Sequence, residues 1–192
     1  MPREKDFKQA DVLKKCAHLF ASHGYSATGI QQIVDKTGIN RSSLYATFKG
    51  KDALFLTCLQ NAMAEDVAVL EGFVKKDYSA VKLTEAYLDV IVKDLPGYHL
   101  LKFANAEFKL LNKKTQTLLN AHYTWKFNFF EGLFKTAQKS GKLTKKISAH
   151  QMAALLELVV LGVQQVSPLT AADKVYKQAA LEFTELIQKK NK

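Results

Sequence analysis

Arg41, Ser42, Ser43 and Thr47 fall within one short stretch of the chain, spaced to share the exposed face of a helix. Short hydroxyls hydrogen-bond without filling a groove, and an arginine forks onto a base edge or a phosphate, so this set has the chemistry of nucleic-acid contact. The chain offers little for bond-making chemistry. His18, His23, His99, His122 and His150 show no HxxxH, HxxEH or Cys/His ligand spacing, and Cys16 and Cys58 form no CxxC. With no nucleophile–base pair and no metal constellation, the chain reads as a non-enzyme with no cofactor.

Presenting that face requires two helices and a turn. In Thr28 to Phe48, TGIQQIVDKTGINRSSLYATF, Ile33 and Val34 fall where the first helix of a pair must pack. Gly38 sits at the turn, and Ile39 and Leu44 bury the second helix. Thr28-Gly-Ile-Gln31 reads as a capping box opening the first helix, and Asn40 as the cap of the second. Two short helices joined by a glycine turn are the minimum that can present one helix to a major groove; the plainer alternative is a helical hairpin with a polar surface. A helix from about Asp6 to His23 precedes the pair, with Phe7, Leu13, Ala17 and Phe20 along one face, and Gly24 is expected to end it in the left-handed conformation.

After Lys51 the helices lengthen, with expected spans of 51–76, 80–94, 98–112, 115–140, 148–166 and 171–189. Pro96-Gly97 is expected to turn the chain, Ser148-Ala-His-Gln151 to form a second capping box, and Ser167-Pro168 to end a helix. The result is an all-α chain of nine helices, three short and six longer. It divides into a DNA-binding helix-turn-helix domain at 1–50 and a ligand-binding and dimerisation domain at 51–192. The longest apolar run, Met152 to Val163, is interrupted by Glu157 and reads as a buried helix, not a membrane span. Charges at the N-terminus are followed by no apolar stretch, so no secretory signal is read and the expected location is the cytoplasm.

Charge points the same way as the helix pair. Residues 1–51 hold nine basic and four acidic side chains, a net of +5, while the remaining 141 residues share another +5 of the chain's +10. A basic face binds polyphosphate by releasing condensed counterions, so the N-terminal end is the natural partner of nucleic acid. The long remainder needs a different explanation. Trp125 and Phe129 share a helix face by i,i+4 spacing, and Tyr98, Phe103 and Phe108 on the preceding helix could meet it. These aromatic residues either line a cavity for a small apolar effector or pack as an ordinary core. His122 could reach the same cavity. Glu157, set in an apolar helix, would bind a cationic ligand, pair with a lysine across a seam, or face solvent.

The segment Leu19-Phe20-xx-His23-Gly24-Tyr25-xx-Thr28, then Ile33, Thr37-Gly38-Ile39 and Leu44-Tyr45-xx-Phe48-xx-Lys51-xx-Leu54, resembles the TetR family of bacterial regulators. The resemblance covers about residues 7–58, and Val34 and Thr37 depart from the family's usual alanines. It implies a homodimeric regulator on a pseudo-palindromic double-stranded operator, with Thr28 and Lys51 on phosphates at helix N-termini and Tyr45 on backbone phosphate. Arg41, Ser42, Ser43 and Thr47 would then read bases. The helix bearing Leu158, Leu161 and Gly162 and the last helix, with Phe183, would form a four-helix dimer interface. A repressor released by an effector is the reading that follows. The rivals are a regulator of the same fold controlled by a protein partner, and an apolar-ligand carrier that binds no DNA.

Overall fold

The computed structural model describes residues 9–93, 96–166 and 173–188. Among them are nine α-helices: α1 Gln9–Ala27, α2 Ile30–Thr37, α3 Arg41–Phe48, α4 Lys51–Lys75, α5 Ala80–Val92, α6 Pro96–Ala106, α7 Lys113–Lys139, α8 Ala149–Val166 and α9 Asp173–Ile187. A 3₁₀ turn, Phe108–Leu110, lies between α6 and α7. The expected start at Asp6 and the Ser167-Pro168 break lie outside the described residues.

The packing divides the chain otherwise than at residue 50. One unit takes the described residues of 1–66 and 96–118, the other those of 67–95 and 119–192. In the first, α6 lies along α1, and the core is built from Cys16, Phe20, Ile33, Leu44, Leu54, Phe55, Leu100 and Ala104, all buried. Phe20 meets Phe55 edge to face at 4.9 Å. The helix pair and α1 share this core with α4 and α6. Burial also pushes the Cys16 thiol up to about 12 and raises that of Cys58, which disfavours the thiolate at both.

In the second unit α5 packs against α8 and α9 around Leu83, Tyr87, Leu88, Phe130, Phe134, Met152, Leu156 and Phe183. Tyr87, Phe130 and Phe134 form a chain of ring contacts at 5.2 and 6.0 Å. Ser148 caps α8 as expected: its hydroxyl accepts from the Gln151 amide at 3.2 Å, and Gln151 Oε1 accepts in return from the Ser148 amide at 3.0 Å.

Three local readings are corrected. Pro96 opens α6 instead of turning the chain, because a proline at the first helical position lacks only an N–H that would have had no partner there. Gly24 adopts φ +83°, ψ 173°, an extended mirror-image conformation and not the left-handed helical one. Finally, the longest apolar helix is α4 and not the Met152 run. Among the described residues it is the one helix long and apolar enough to cross a membrane, with half of that window buried in the protein.

Candidate nucleic-acid interface

The helix pair is set by its caps. Gly38 ends α2 in the left-handed conformation, φ +76°, with its amide donating to the Val34 carbonyl at 2.8 Å. A side chain would have open space there, so the backbone angle is what calls for glycine. Asn40 caps α3, its Oδ1 accepting from the Ser43 amide at 2.8 Å, an arrangement worth about 1 kcal/mol. The expected capping box of α2 is displaced by one residue. Gly29 is the N-cap, and its amide donates to Gln32 Oε1 at 2.6 Å, while Gln31 reaches Asp35 instead.

With Leu44 and Phe48 buried beneath it, α3 turns Arg41, Ser42 and Tyr45 outward and leaves Ser43 and Thr47 half-buried at the margins. Ser42 donates to Asn40 Oδ1 at 2.7 Å, which leaves its hydroxyl oxygen with acceptor capacity only. Tyr45 is 46% exposed, and its ring lies 3.4 Å from where a Cβ on Gly50 would stand.

Thr28 departs from expectation. It is fully buried, and its hydroxyl donates to the Gly24 carbonyl at 2.6 Å, so it closes the corner between α1 and α2 and presents no hydroxyl to a phosphate. Lys51 is half-buried, its Nζ donating to the carbonyls of Tyr25 at 2.9 Å and Thr28 at 3.0 Å and lying 4.2 Å above the Tyr25 ring. A cation at a helix N-terminus opposes the helix dipole, and these two carbonyls compensate it. An ammonium has three N–H groups, and these two carbonyls take two of them.

Sequence reasoning missed the residues that fasten this corner. The Tyr25 hydroxyl donates to Asp52 Oδ1, and Asn112 Nδ2 donates to Asp52 Oδ2 at 3.2 Å. Glu107 accepts from the Tyr25 amide at 2.6 Å and from the Ser26 amide at 3.2 Å. Only Tyr25 carried a signal, as part of the His-Gly-Tyr motif; Glu107 and Asn112 lie too far along the chain for any local pattern to reveal them.

The Tyr25–Asp52 bond has a pH signature. Desolvation first, then Asp52 and Glu107, push the Tyr25 phenol from 10 up to about 12. Its stabilisation is therefore complete below pH 10 and lost as pH rises toward 12. The Asp52 carboxyl is held below its ordinary value, chiefly by the Tyr25 hydroxyl, so its contribution stands above the usual carboxylate range and is lost on acidification through the lowered pKa. Tyr25→Phe is expected to remove the first effect and weaken the second, which Asn112 and Lys51 still support, leaving melting temperature less dependent on pH at both extremes. A melting profile of unchanged shape would contradict this.

The residues expected to hold an effector are divided between the units. Tyr98 and Phe103 belong to the first, where the buried Tyr98 hydroxyl donates to Asp66 Oδ1 at 2.8 Å. In the second unit His122, Trp125 and Phe129 form a ladder of stacked rings along α7, at 6.0 and 5.8 Å. Trp125 is 37% exposed, His122 buried and Phe129 half-buried, as is Glu157 on α8. A groove of about 730 Å³ opens between α5 and α9, lined by Phe73, Tyr78, Glu85, Asp89, Leu181 and Glu185 among others, and by none of the expected effector residues.

Of the residues expected at a dimer seam, Leu158 is 65% exposed, Gly162 is exposed and Leu161 half-buried on α8. Phe183 is corrected: at 4% exposure it packs in the core of its own unit. Val175 and Leu186, on the apolar face that helical spacing gives α9, are exposed, and so is Leu155 on α8, which sequence reading did not single out.

Residues 12–58 match the sequence profile described as "Bacterial regulatory proteins, tetR family". A Bacillus subtilis protein, named an uncharacterized HTH-type transcriptional regulator, YezE, is 36% identical over 72 residues, 37% of each chain. The HTH-type transcriptional activator FasR of Mycolicibacterium smegmatis is 28% identical over 101 residues, covering 50% of this chain and 46% of its own. The chain thus spans less than half the length of these curated relatives. Among solved structures, a TetR-family transcriptional regulator from Agrobacterium tumefaciens superposes with a TM-score of 0.85 at 17% identity, covering 94% of this chain and 97% of that one; this is a likeness of fold.

Proposed function

We infer, from a chain whose residues 12–58 belong to the tetR family of bacterial regulatory proteins and whose fold is that of TetR-family regulators, that this protein is a DNA-binding transcription regulator. The observation that carries the reading is α3: capped at both ends, seated on Leu44 and Phe48, and turning Arg41, Ser42 and Tyr45 to solvent within the matched segment. Arg41, Ser42 as an acceptor, Ser43 and Thr47 are assigned to base edges. Tyr45 and the remaining N–H of Lys51 are assigned to phosphates. In vitro selection of duplexes with the purified protein tests this. The expected product is a pseudo-palindrome bound with strong salt dependence, and enrichment of no duplex would overturn the reading.

The protein is proposed to act as a homodimer. Leu155, Leu158 and Gly162 lie at i, i+3 and i+7 on α8, a single stripe that stands exposed together with Val175 and Leu186 on α9. Exposed apolar stripes of this kind are what a second copy would cover. Two reading heads engage one face of a duplex only when about 34–36 Å or a multiple apart, so an effector that favours another spacing releases the operator. Repression relieved in this way is the regulatory mode we propose, in the cytoplasm, with α4 as the helix that continues from the reading head toward the body.

An apolar or aromatic effector is assigned to the α7 ladder. Trp125, the only tryptophan, reports on binding there through its fluorescence. Phe129→Ala is expected to abolish induction while melting temperature and effector-free operator binding stay close to wild type. A core phenylalanine would instead cost about 3–5 kcal/mol of stability when truncated. A large fall in melting temperature with induction intact would remove the sensor role from this face and favour control by a protein partner.

A further inference from the structure

Glu107, the residue directly after α6, stands 82 positions from Tyr25 in sequence, yet its carboxylate takes the Tyr25 amide at 2.6 Å and the Ser26 amide, through both oxygens, at 3.2 Å. These amides follow Gly24, where the helical angles of α1 are broken. A Cβ on Gly24 would lie 3.1 Å from the Glu107 oxygens, so this glycine supplies the backbone angle and also clears the space the carboxylate fills. Hydrogen bonds to an ionised acceptor are roughly twice as strong as neutral ones, and here they hold a bend that no helical ladder supports.

A second attachment lies five residues on. Asn112 Nδ2 donates to Asp52 in the first turn of α4, while its Oδ1 accepts from the amide and hydroxyl of Thr115 at 3.0 and 3.1 Å and so caps α7. The segment between the two attachments is braced by Gln116, whose Nε2 donates to the carbonyls of Phe108 at 3.1 Å and Leu111 at 2.8 Å. Tyr25 is thereby held at its amide by Glu107, at its carbonyl by Lys51 and at its hydroxyl by Asp52. The corner so gripped is the one from which α2, and after it α3, projects.

We propose that Glu107 and Asn112 are positioning residues for DNA reading, clamping the α1–α2 corner so that α3 meets base edges in a fixed orientation. The proposal rests on the DNA-binding reading above. It makes the α6–α7 connection a direct handle on the reading head, independent of movement along α4. Base readout needs α3 at a defined angle, whereas phosphate contacts through flexible side chains tolerate tilt. Loosening the clamp therefore costs discrimination before it costs affinity for DNA as such.

Two variants separate the clamp from general stability. Glu107→Gln keeps the shape but offers one acceptor oxygen and turns an NH₂ group toward amide donors. Asn112→Asp keeps the cap of α7 but sets a second carboxylate against Asp52. Each is measured on a duplex selected in vitro with the wild-type protein and on an unrelated duplex of equal length, alongside melting temperature and hydrogen exchange at the Tyr25 and Ser26 amides. The expected result for each is a loss of about tenfold or more on the selected duplex, with the unrelated duplex and the melting temperature nearly unchanged. Glu107→Gln should in addition speed exchange at the two amides. Unchanged discrimination, or parallel losses on both duplexes with a lower melting temperature, would overturn the positioning role. If Glu107→Gln fails to fold, Asn112→Asp, at an exposed residue, decides the same comparison. A wild-type protein that selects no duplex overturns the DNA-binding reading, and the positioning role with it, while the exchange rates still show whether Glu107 holds the corner.

Discussion

Replacing Leu158 with glutamate is expected to leave each protomer folded, to split the dimer, and to lower affinity for a palindromic operator by about 10²–10⁴, the scale on which two linked heads exceed one. Leu158 is 65% exposed within its own chain, so the protomer loses little; surface substitutions usually stay within about ±0.5 kcal/mol. In a seam of apolar side chains the added carboxylate would be buried without a partner, and that cost falls entirely on association. Sedimentation equilibrium, thermal melting and binding to full and half operators, measured on one preparation, resolve the case. A variant that stays dimeric with full operator affinity would move the seam elsewhere. Phe183→Ala serves as the contrast: at 4% exposure, its truncation should cost the protomer itself about 3–5 kcal/mol.

Arg41→Ala should weaken binding to the selected operator by about 1–3 kcal/mol, roughly tenfold to a hundredfold, and relax sequence preference at one position in each half-site. Arg41 is exposed, and among the described residues it makes no ion pair, so its guanidinium is available to a ligand without first breaking a protein contact. Arg41→Lys sharpens the test. It keeps the charge and hence the salt dependence, but loses the planar fork that grips two acceptors of one guanine. If Arg41 reads a base, the lysine variant will lose discrimination nearly as far as alanine does while retaining affinity for unrelated duplexes. Equal losses on operator and unrelated DNA for Arg41→Ala, with Arg41→Lys close to wild type, would reassign Arg41 to phosphate. Lys51 gives no such clean comparison, because its ammonium also holds the carbonyls of Tyr25 and Thr28, and its removal loosens the corner itself.

The order and type of the helices were determined by the sequence alone, because the signals are local. Apolar residues recur at helical spacing, Gly38 takes a backbone angle that other residues resist, and Asn40 caps with its own side chain. The exposed face of α3 follows from the same periodicity once Leu44 and Phe48 are assigned inward. What failed was register at helix ends, where one residue decides which group bonds to which. Thr28 and Gly29 exchange roles because a hydroxyl one position earlier reaches back to the Gly24 carbonyl instead of forward to α2. Burial on α9 was misjudged for a related reason: Phe183 and Leu186 sit within one turn, and only the packing of α5 and α8 decides that the first is core and the second exposed. Glu107 and Asn112 were beyond sequence reading altogether, since a carboxylate gains its role from amides brought to it by the folding of a segment about eighty residues away. The sequence therefore determined what this protein can touch, through side chains whose chemistry is intrinsic. The tertiary structure decided how the touching surface is held, because hydrogen bonds across long chain separations exist only once the helices have packed.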